Sequence, residues 1–407
     1  YCNVGKVVEI GSGVEGFAVG QRVISNGNHS EVVSVSKNLC ARIPDNVSDE
    51  QASFVVLAAI GLQGIRLTNP TLGEHIVVIG LGAIGLLTVQ MLRAQGCRVL
   101  AIDVQDERLK LAAEVGALTA NPSIGEDVLS VADKFSRGQG VDAVIITAST
   151  KSHDVVSQAA KMCRKRGRII LVGVVGLNLV RDDFYEKELS FQVSCSYGPG
   201  RYDPDYEEAG HDYPIAFVRW TQQRNFEAVL DLMSSGVVDA LPLISHRVSL
   251  EKAPDLYQKI SDGDQGLGMI IHYSSHASAR AEKTIALPKL SSNKNLVTDA
   301  VVVGFIGAGN YGSRVLMPAF KAAGAQLHSV VTSSGLSGSI HGAKSGFEYS
   351  STDINAAINN DSIDTIVIVT RHDSHSNLVC RGLQAGKNVF VEKPLAIDRA
   401  GLDAIKA

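Results

Sequence analysis

Three features of the sequence predict an α/β fold built on two doubly wound parallel sheets. Two glycine fingerprints of one type, Gly80-Leu81-Gly82-Ala83-Ile84-Gly85 and Gly307-Ala308-Gly309-Asn310-Tyr311-Gly312, each follow a short apolar run and open a helix-like segment. That setting matters, because glycines alone also mark ordinary turns, whereas strand, glycine turn and helix in succession are what a dinucleotide-binding turn requires. Apolar strands alternate with helical patterns through short loops on both sides of a polar, aperiodic break at residues 273–299. At 407 residues the chain exceeds one ordinary core, so several domains are expected.

The elements follow in order. Residues 1–70 are rich in Val, Gly and turn residues, with strands expected at 4–10, 22–25 and 31–35, broken by Gly11-Ser12-Gly13 and Asn26-Gly27-Asn28. A helix over 50–66 is entered through Ser48 and Asp49 as caps. From His75 the pattern changes: 75–79 reads as a fully apolar parallel strand, 86–95 as a helix closed by Gly96, 98–102 as a strand and 105–115 as a helix closed by Gly116. Strands at 143–146 and 168–172 flank a helix over 152–164, and Arg164-Lys165-Arg166 reads as its solvated end. Helices over 225–235 and 250–261 return the chain to the first domain. Two polar stretches, Ser274-Ser275-His276-Ala277-Ser278 and Ser291-Ser292-Asn293-Lys294-Asn295, read as interdomain linker. A second series follows, with strands at 301–306, 326–331, 365–369 and 388–391. The expected domains are therefore 1–70, 71–200 and 201–272, a linker over 273–299, and 300–407. Tyr1 opens inside a β-rich pattern and Ala407 closes inside a helical one, so both ends read as cut.

A net charge of −4 argues against nucleic acid as a partner. No apolar run reaches the length of a membrane span and no signal peptide is visible. The six cysteines (Cys2, Cys40, Cys97, Cys163, Cys195, Cys380) are dispersed without a C-x-x-C pair, which predicts neither a zinc ribbon nor a disulfide framework and fits a cytoplasmic protein.

At the first fingerprint, Gly80 allows the tight turn, Gly82 lets the backbone approach a pyrophosphate and Gly85 lets the helix pack close. The free N–H groups of Ala83 and Ile84 at the helix start face the phosphate charge. Asp103 ends the second strand, 23 positions after Gly80, where an acidic group binds the adenosine ribose hydroxyls and repels a 2′-phosphate. NAD is the cofactor expected at this site.

Residues 1–272 resemble the medium-chain dehydrogenase/reductase (zinc alcohol dehydrogenase-like) superfamily. The resemblance rests on Val4-Gly5-Lys6-Val7-Val8-Glu9-Ile10-Gly11, Val19-Gly20-Gln21-Arg22-Val23, the first fingerprint and Gly167-Arg168-Ile169-Ile170-Leu171-Val172-Gly173. It implies a GroES-like β-barrel, here partial, split around a Rossmann domain, with Thr147, Gly173 and Val174 bordering the nicotinamide. Zinc-binding members of that superfamily carry a Cys and a His in a stretch that would precede Tyr1 and a third ligand in the region of residues 55–64, which here holds no Cys, His, Asp or Glu. The four-cysteine zinc lobe would follow Val23, where Ile24-Ser25-Asn26-Gly27-Asn28-His29 stands instead. The resemblance is therefore to the zinc-free branch, and no metal site is expected. Tyr197, Arg201 and Tyr202, in Tyr197-Gly198-Pro199-Gly200-Arg201-Tyr202-Asp203, are substrate candidates, since the loop lies where such proteins begin to line the cleft. Arg219 and His246 read as structural or surface residues.

Residues 300–407 resemble the cofactor domain of the glucose–fructose oxidoreductase/inositol dehydrogenase (Gfo/Idh/MocA) family. The second fingerprint after Val303-Gly304-Phe305-Ile306, the strand-end segment Ile368-Val369-Thr370-Arg371-His372-Asp373-Ser374-His375 and the stretch Gly386-Lys387-Asn388-Val389-Phe390-Val391-Glu392-Lys393-Pro394 carry it. It implies cofactor contacts at Gly307, Gly309, Asn310, Tyr311, Gly312, Thr332, Ser333 and Thr370, and a catalytic Lys393 beside nicotinamide and substrate. His375 reads as packing under the cofactor loop. Thr332-Ser333-Ser334 stands where an NAD-preferring site shows an acid, so NAD or NADP is expected there. The family's acid/base Asp and His would lie in a domain beyond Ala407.

The function these readings imply is NAD(P)-dependent hydride transfer to or from an alcohol or carbonyl, with a sugar or sugar nucleotide as the substrate class suggested, in a homo-oligomer paired through the sheet edge at 181–194. A non-catalytic dinucleotide sensor or scaffold, and a quinone or enone reductase acting through the first module, are the rival readings.

Overall fold

The computed structural model describes residues 2–263, 266–273, 282–288 and 300–407. The chain divides into two compact units, residues 1–274 and 275–407.

The first unit opens with a three-stranded antiparallel sheet of β1 (Asn3–Lys6), β2 (Arg22–Ser25) and β3 (Cys40–Arg42), with β2 central. This departs from the expected strands at 4–10 and 31–35. Both edges of β2 are taken, Val4 facing Ile24 on one side and Ala41 facing Ile24 on the other, so β2 has no edge left for residues 31–35. The expected helix over 50–66 is two helices, Asp49–Ala52 and Val55–Thr68; the Ser48 hydroxyl caps the first by accepting from the Gln51 N–H.

A six-stranded parallel sheet follows: β4 (His75–Ile79), β5 (Arg98–Ile102), β6 (Leu118–Ala120), β7 (Val141–Ile146), β8 (Cys163–Leu171) and β9 (Ser190–Val193). Its spatial order is β6-β5-β4-β7-β8-β9, which puts the reversal of chain direction between β4 and β7. The apolar run of β4 is explained by two-sided burial. Ile76 and Val78 enter a core with the helices Val55–Thr68 and Ala83–Ala94, while Val77 and Ile79 enter the opposite core with the helices Val128–Phe135 and Asp154–Met162.

Two local expectations change here. Arg164-Lys165-Arg166 is the start of β8 and not a helix end, with Arg164 bonded to Asp142 at 2.7 Å and Arg166 to Glu188 at 2.7 Å. The segment 181–194 divides into a helix, Arg181–Tyr185, and the edge strand β9. The helix Gln222–Ser234 then returns the chain to the helix Val55–Thr68, and β10 (Ile244–Ser249) pairs with β11 (Gly268–His272).

The second unit has its own six-stranded sheet: β12 (Thr284–Ala286), β13 (Val302–Ile306), β14 (Gln326–Val331), β15 (Tyr349–Ser351), β16 (Thr365–Ile368) and β17 (Asn388–Val391). The order is β12-β15-β14-β13-β16-β17, parallel except for β12, which runs antiparallel to β15. This corrects the linker expected over 273–299, because residues 284–286 complete a sheet edge. Polar residues suffice there: the Thr284 hydroxyl lies 2.8 Å from that of Ser351. The remainder of that expectation, at 274–281 and 289–299, lies outside the described residues.

Candidate functional site

In each unit the glycine turn occupies the carboxyl end of the central strand. Gly80 has φ +95°, a left-handed value, and a Cβ there would stand 2.6 Å from Ala148 N and Cα. No residue but glycine fits the turn where β7 crosses it. A Cβ on Gly85 would meet the Gly80 carbonyl oxygen at 2.0 Å, so this glycine lets the helix press onto the turn. Gly82 differs: a Cβ there meets nothing within 4 Å. It caps the start of the helix Ala83–Ala94, whose first N–H groups, including those of Ala83 and Ile84, have no partner within the helix. The open space and the helix start together make an anion cradle that fits a pyrophosphate.

Asp103 closes this cradle from β5. It is 8% exposed; Oδ2 accepts from the Leu81 N–H at 2.6 Å and Oδ1 from the Gln105 N–H at 2.9 Å. A buried carboxylate is thereby fixed to the glycine turn itself, with Arg108 Nη1 at 3.9 Å from Oδ2. Thr147 lies at the end of β7 as expected, but its hydroxyl turns inward and donates to the Gly80 carbonyl at 2.5 Å, so it braces the turn. Gly173 passes so close to the same strand that a Cβ would stand 2.1 Å from the Ala148 oxygen. Val174 pairs with Ser149 across a β-bridge and leaves its side chain 73% exposed at the carboxyl edge of the sheet.

The three substrate candidates separate. Tyr197 is buried; its hydroxyl accepts from Asn26 Nδ2 at 2.9 Å and its ring packs 5.2 Å from that of Phe226. Burial pushes its phenol pKa up. Arg201 Nη1 donates to both oxygens of Glu207, at 2.8 and 3.0 Å, so its charge is already balanced. Only Tyr202 presents its ring to solvent. Sequence reasoning missed Asn26, Asn225 and Glu207, which hold this loop; Asn225 Nδ2 donates to the Tyr197 carbonyl at 2.9 Å. No spacing signal announces a pair such as Asn26 and Tyr197, 171 positions apart. Arg219 stacks on Trp220 with its guanidinium carbon 3.8 Å from the ring centre, a structural role. His246 lies on β10, whose register with β11 shifts between Ile244 and His246.

Among the described residues no group of three His, Cys, Asp or Glu converges. On the helix Val55–Thr68, Arg66 Nε donates to Asn225 Oδ1 at 2.7 Å and the Thr68 hydroxyl donates to the Gly64 carbonyl of its own helix.

The second cradle repeats the first. Gly307 has φ +107° and a Cβ there would meet the Val369 oxygen at 2.4 Å; Gly309 has nothing within 4 Å. Asn310 and Tyr311 are exposed beside it, and Gly312 begins a π-helical turn leading into the helix Met317–Ala322. The ribose end differs. Thr332 is 8% exposed and its hydroxyl accepts from the Gly338 N–H at 3.3 Å, so it is committed to the fold. Ser333 is exposed. The Thr370 hydroxyl lies 2.6 Å from that of Ser374. His375, fully buried, has Nδ1 2.8 Å from the Pro394 oxygen and Nε2 3.2 Å from the Thr370 oxygen. It thus ties the segment after β17, which carries Lys393, to the segment after β16. Lys393 is exposed, with no side-chain bond among the described residues.

Two strand–turn–helix cradles at sheet reversals, one closed by an acid, define an NAD(P)-dependent oxidoreductase. The profile of the zinc-binding dehydrogenase family matches residues 83–210, and that of the oxidoreductase family with NAD-binding Rossmann fold matches residues 301–407. The chain joins a medium-chain dehydrogenase module to a Gfo/Idh/MocA-family NAD-binding module. Among its relatives is the D-guloside 3-dehydrogenase of Escherichia coli (strain K12), 29% identical over 269 residues, covering 64% of this chain and 72% of that protein. The (R,R)-butanediol dehydrogenase of Bacillus subtilis (strain 168) is 27% identical over 278 residues, covering 61% and 72%. The alcohol dehydrogenase from Thermus sp. ATN1 superposes with a TM-score of 0.55 at 22% identity, over 67% of this chain and 82% of that one, a likeness of fold. No helix among the described residues is long and apolar enough to cross a membrane.

Proposed function

We propose that the first module is a zinc-independent, NAD-preferring dehydrogenase of a sugar or polyol, and that the second binds NAD or NADP with Lys393 as its catalytic group. The observation that carries the first part is Asp103: a buried carboxylate bonded to the Leu81 N–H at the end of β5 would favour ribose hydroxyls and repel a 2′-phosphate. The substrate class draws on relatives named for a guloside and a butanediol. The bound nicotinamide supplies the hydride acceptor or donor. Gly82, Ala83 and Ile84 hold the phosphates, and Gly173 and Val174 border the ring. In the second module an exposed ammonium at Lys393 hydrogen-bonds a substrate hydroxyl and orients it. Ser333, uncharged and exposed, admits either dinucleotide.

Pairing of two copies along the open edge of β9, where Val193 is 57% exposed, is the oligomer we propose. A cytoplasmic setting accords with six unpaired cysteines.

The test is turnover by the full chain, dialysed against a chelator, with NAD and NADP and a panel of sugars, polyols and quinones. Sugar or polyol oxidation that survives chelation is expected. Turnover restored only by zinc would overturn zinc independence. Cofactor binding without hydride transfer to any compound would favour a sensor.

A further inference from the structure

The segment following β9 is bonded far more densely than a surface loop needs. Arg201 is clamped by Glu207, and its guanidinium carbon lies 4.0 Å from the centre of the Tyr202 ring. Gly200, at φ +99°, has no room for a side chain, since a Cβ would stand 2.5 Å from the Tyr206 ring. The Gln222 N–H donates to the Pro199 carbonyl at 2.9 Å. Asp203 caps the next helical turn through the Asp205 N–H and accepts the Tyr213 hydroxyl, and Tyr213 stacks on Tyr206.

In the middle of this web Tyr202 has φ +64° and is 71% exposed. A bulky residue in the left-handed region is a genuine outlier. Here the strain is not repaid by burial of the ring. Strain that the surroundings over-determine, at an exposed side chain, points to a binding role. One face of the ring is backed by the Arg201 guanidinium; the other has no partner among the described residues. An aromatic face of this kind receives C–H groups on its electron-rich surface. The neighbouring charges are spent within the fold: Arg201 on Glu207, Asp205 on His211 and Asp212 on Arg224, so the open face of Tyr202 offers an aromatic surface and not an ion pair.

We propose that Tyr202 is a stacking platform for the ring of a pyranoside. This rests on the sugar or polyol reading of the first module. The decisive variant is Tyr202→Gly. Glycine adopts the left-handed conformation freely, so this variant is expected to melt at least as high as the parent. It should nonetheless bind methyl α-D-glucopyranoside and methyl α-D-galactopyranoside about three- to tenfold more weakly, by saturation-transfer NMR titration of the full chain. Tyr202→Phe should keep the affinity within about twofold, and NAD affinity should not move in either variant.

A Tyr202→Gly variant that binds these pyranosides as tightly as the parent would overturn the platform, as would a parent that binds neither. Tyr202-dependent binding without oxidation of any sugar would overturn the dehydrogenase reading and leave the platform standing. Sugar oxidation whose KM ignores Tyr202→Gly would do the reverse.

Discussion

Gly82→Asp separates the cofactor cradle from the fold more cleanly than any other change. A Cβ at this position meets nothing within 4 Å, and the residue caps the helix Ala83–Ala94. Aspartate is a good cap, so stability should stay level or rise by a few tenths of a kcal/mol. The same carboxylate would stand where the pyrophosphate approaches. A unit charge about 5 Å from one phosphate, at an effective dielectric near 20, is repelled by about 3 kcal/mol, or roughly 200-fold in affinity. Gly80→Ala gives the opposite pattern: at φ +95°, with Ala148 backbone atoms 2.6 Å away, it should cost about 3 kcal/mol or more and lower the melting temperature of the first unit by roughly 6–12 °C. Calorimetric titration of NAD into the full chain, with thermal melts of the same samples, reads both effects. Two binding events in the parent should become one in Gly82→Asp and, separately, one in Gly309→Asp. Unchanged NAD affinity in Gly82→Asp would refute the placement of the pyrophosphate, and an unfolded Gly82→Asp would refute the open cradle.

Other outcomes follow from the same geometry. Asp103→Asn removes the charge facing a 2′-phosphate and one of two acceptors, so titration should show the preference for NAD over NADP falling about tenfold or more, with about 1–3 kcal/mol lost in denaturant melts. Lys393→Met should leave the melt of the second unit and its cofactor affinity within about twofold, while single-turnover hydride transfer by that module falls at least ~100-fold. Burial holds the His328 imidazole pKa below its ordinary 6.5, so the unfolded chain takes up the proton more readily. Stability of the second unit should be full above pH 6.5 and fall below it, and His328→Phe should flatten that slope in melts from pH 7.5 to 5.5.

The sequence made the central parallel strands legible because their burial is two-sided. β5 has the limits that its apolar run predicts, since both faces of its sheet are covered there, and β14 and β17 also have the limits expected of them. The glycine roles were equally legible, because a turn that excludes Cβ atoms leaves no alternative residue. What could not be read depends on distant partners. β3 rather than residues 31–35 pairs with β2 because an edge is available to it, and β12 is a strand only because β15 offers one. The bonding of Tyr197 and Arg201 was no more legible: Asn26, 171 positions away, and Glu207 hold them.

In the sites proposed here, cofactor choice resides at the ribose end. In both units the first glycine donates its N–H to the last carbonyl of the neighbouring strand, Gly80 to Ile102 and Gly307 to Val331, at 2.8 Å in each case. The phosphate end of each site is thus the same device. The ribose end is a separate decision made by one side chain. In the first unit a carboxylate spans the turn to the Leu81 N–H; in the second a hydroxyl folds back to the Gly338 N–H and leaves the ribose position without charge. A charge there acts on a 2′-phosphate and hardly on a hydroxyl, so it divides NAD from NADP without touching the cradle. Exchanging that one property, with Thr332→Asp in the second unit, would put a new charge at a position that is 8% exposed and now holds a neutral hydroxyl accepting from the Gly338 N–H. The second site is therefore harder to convert to strict NAD use than the first is to relax.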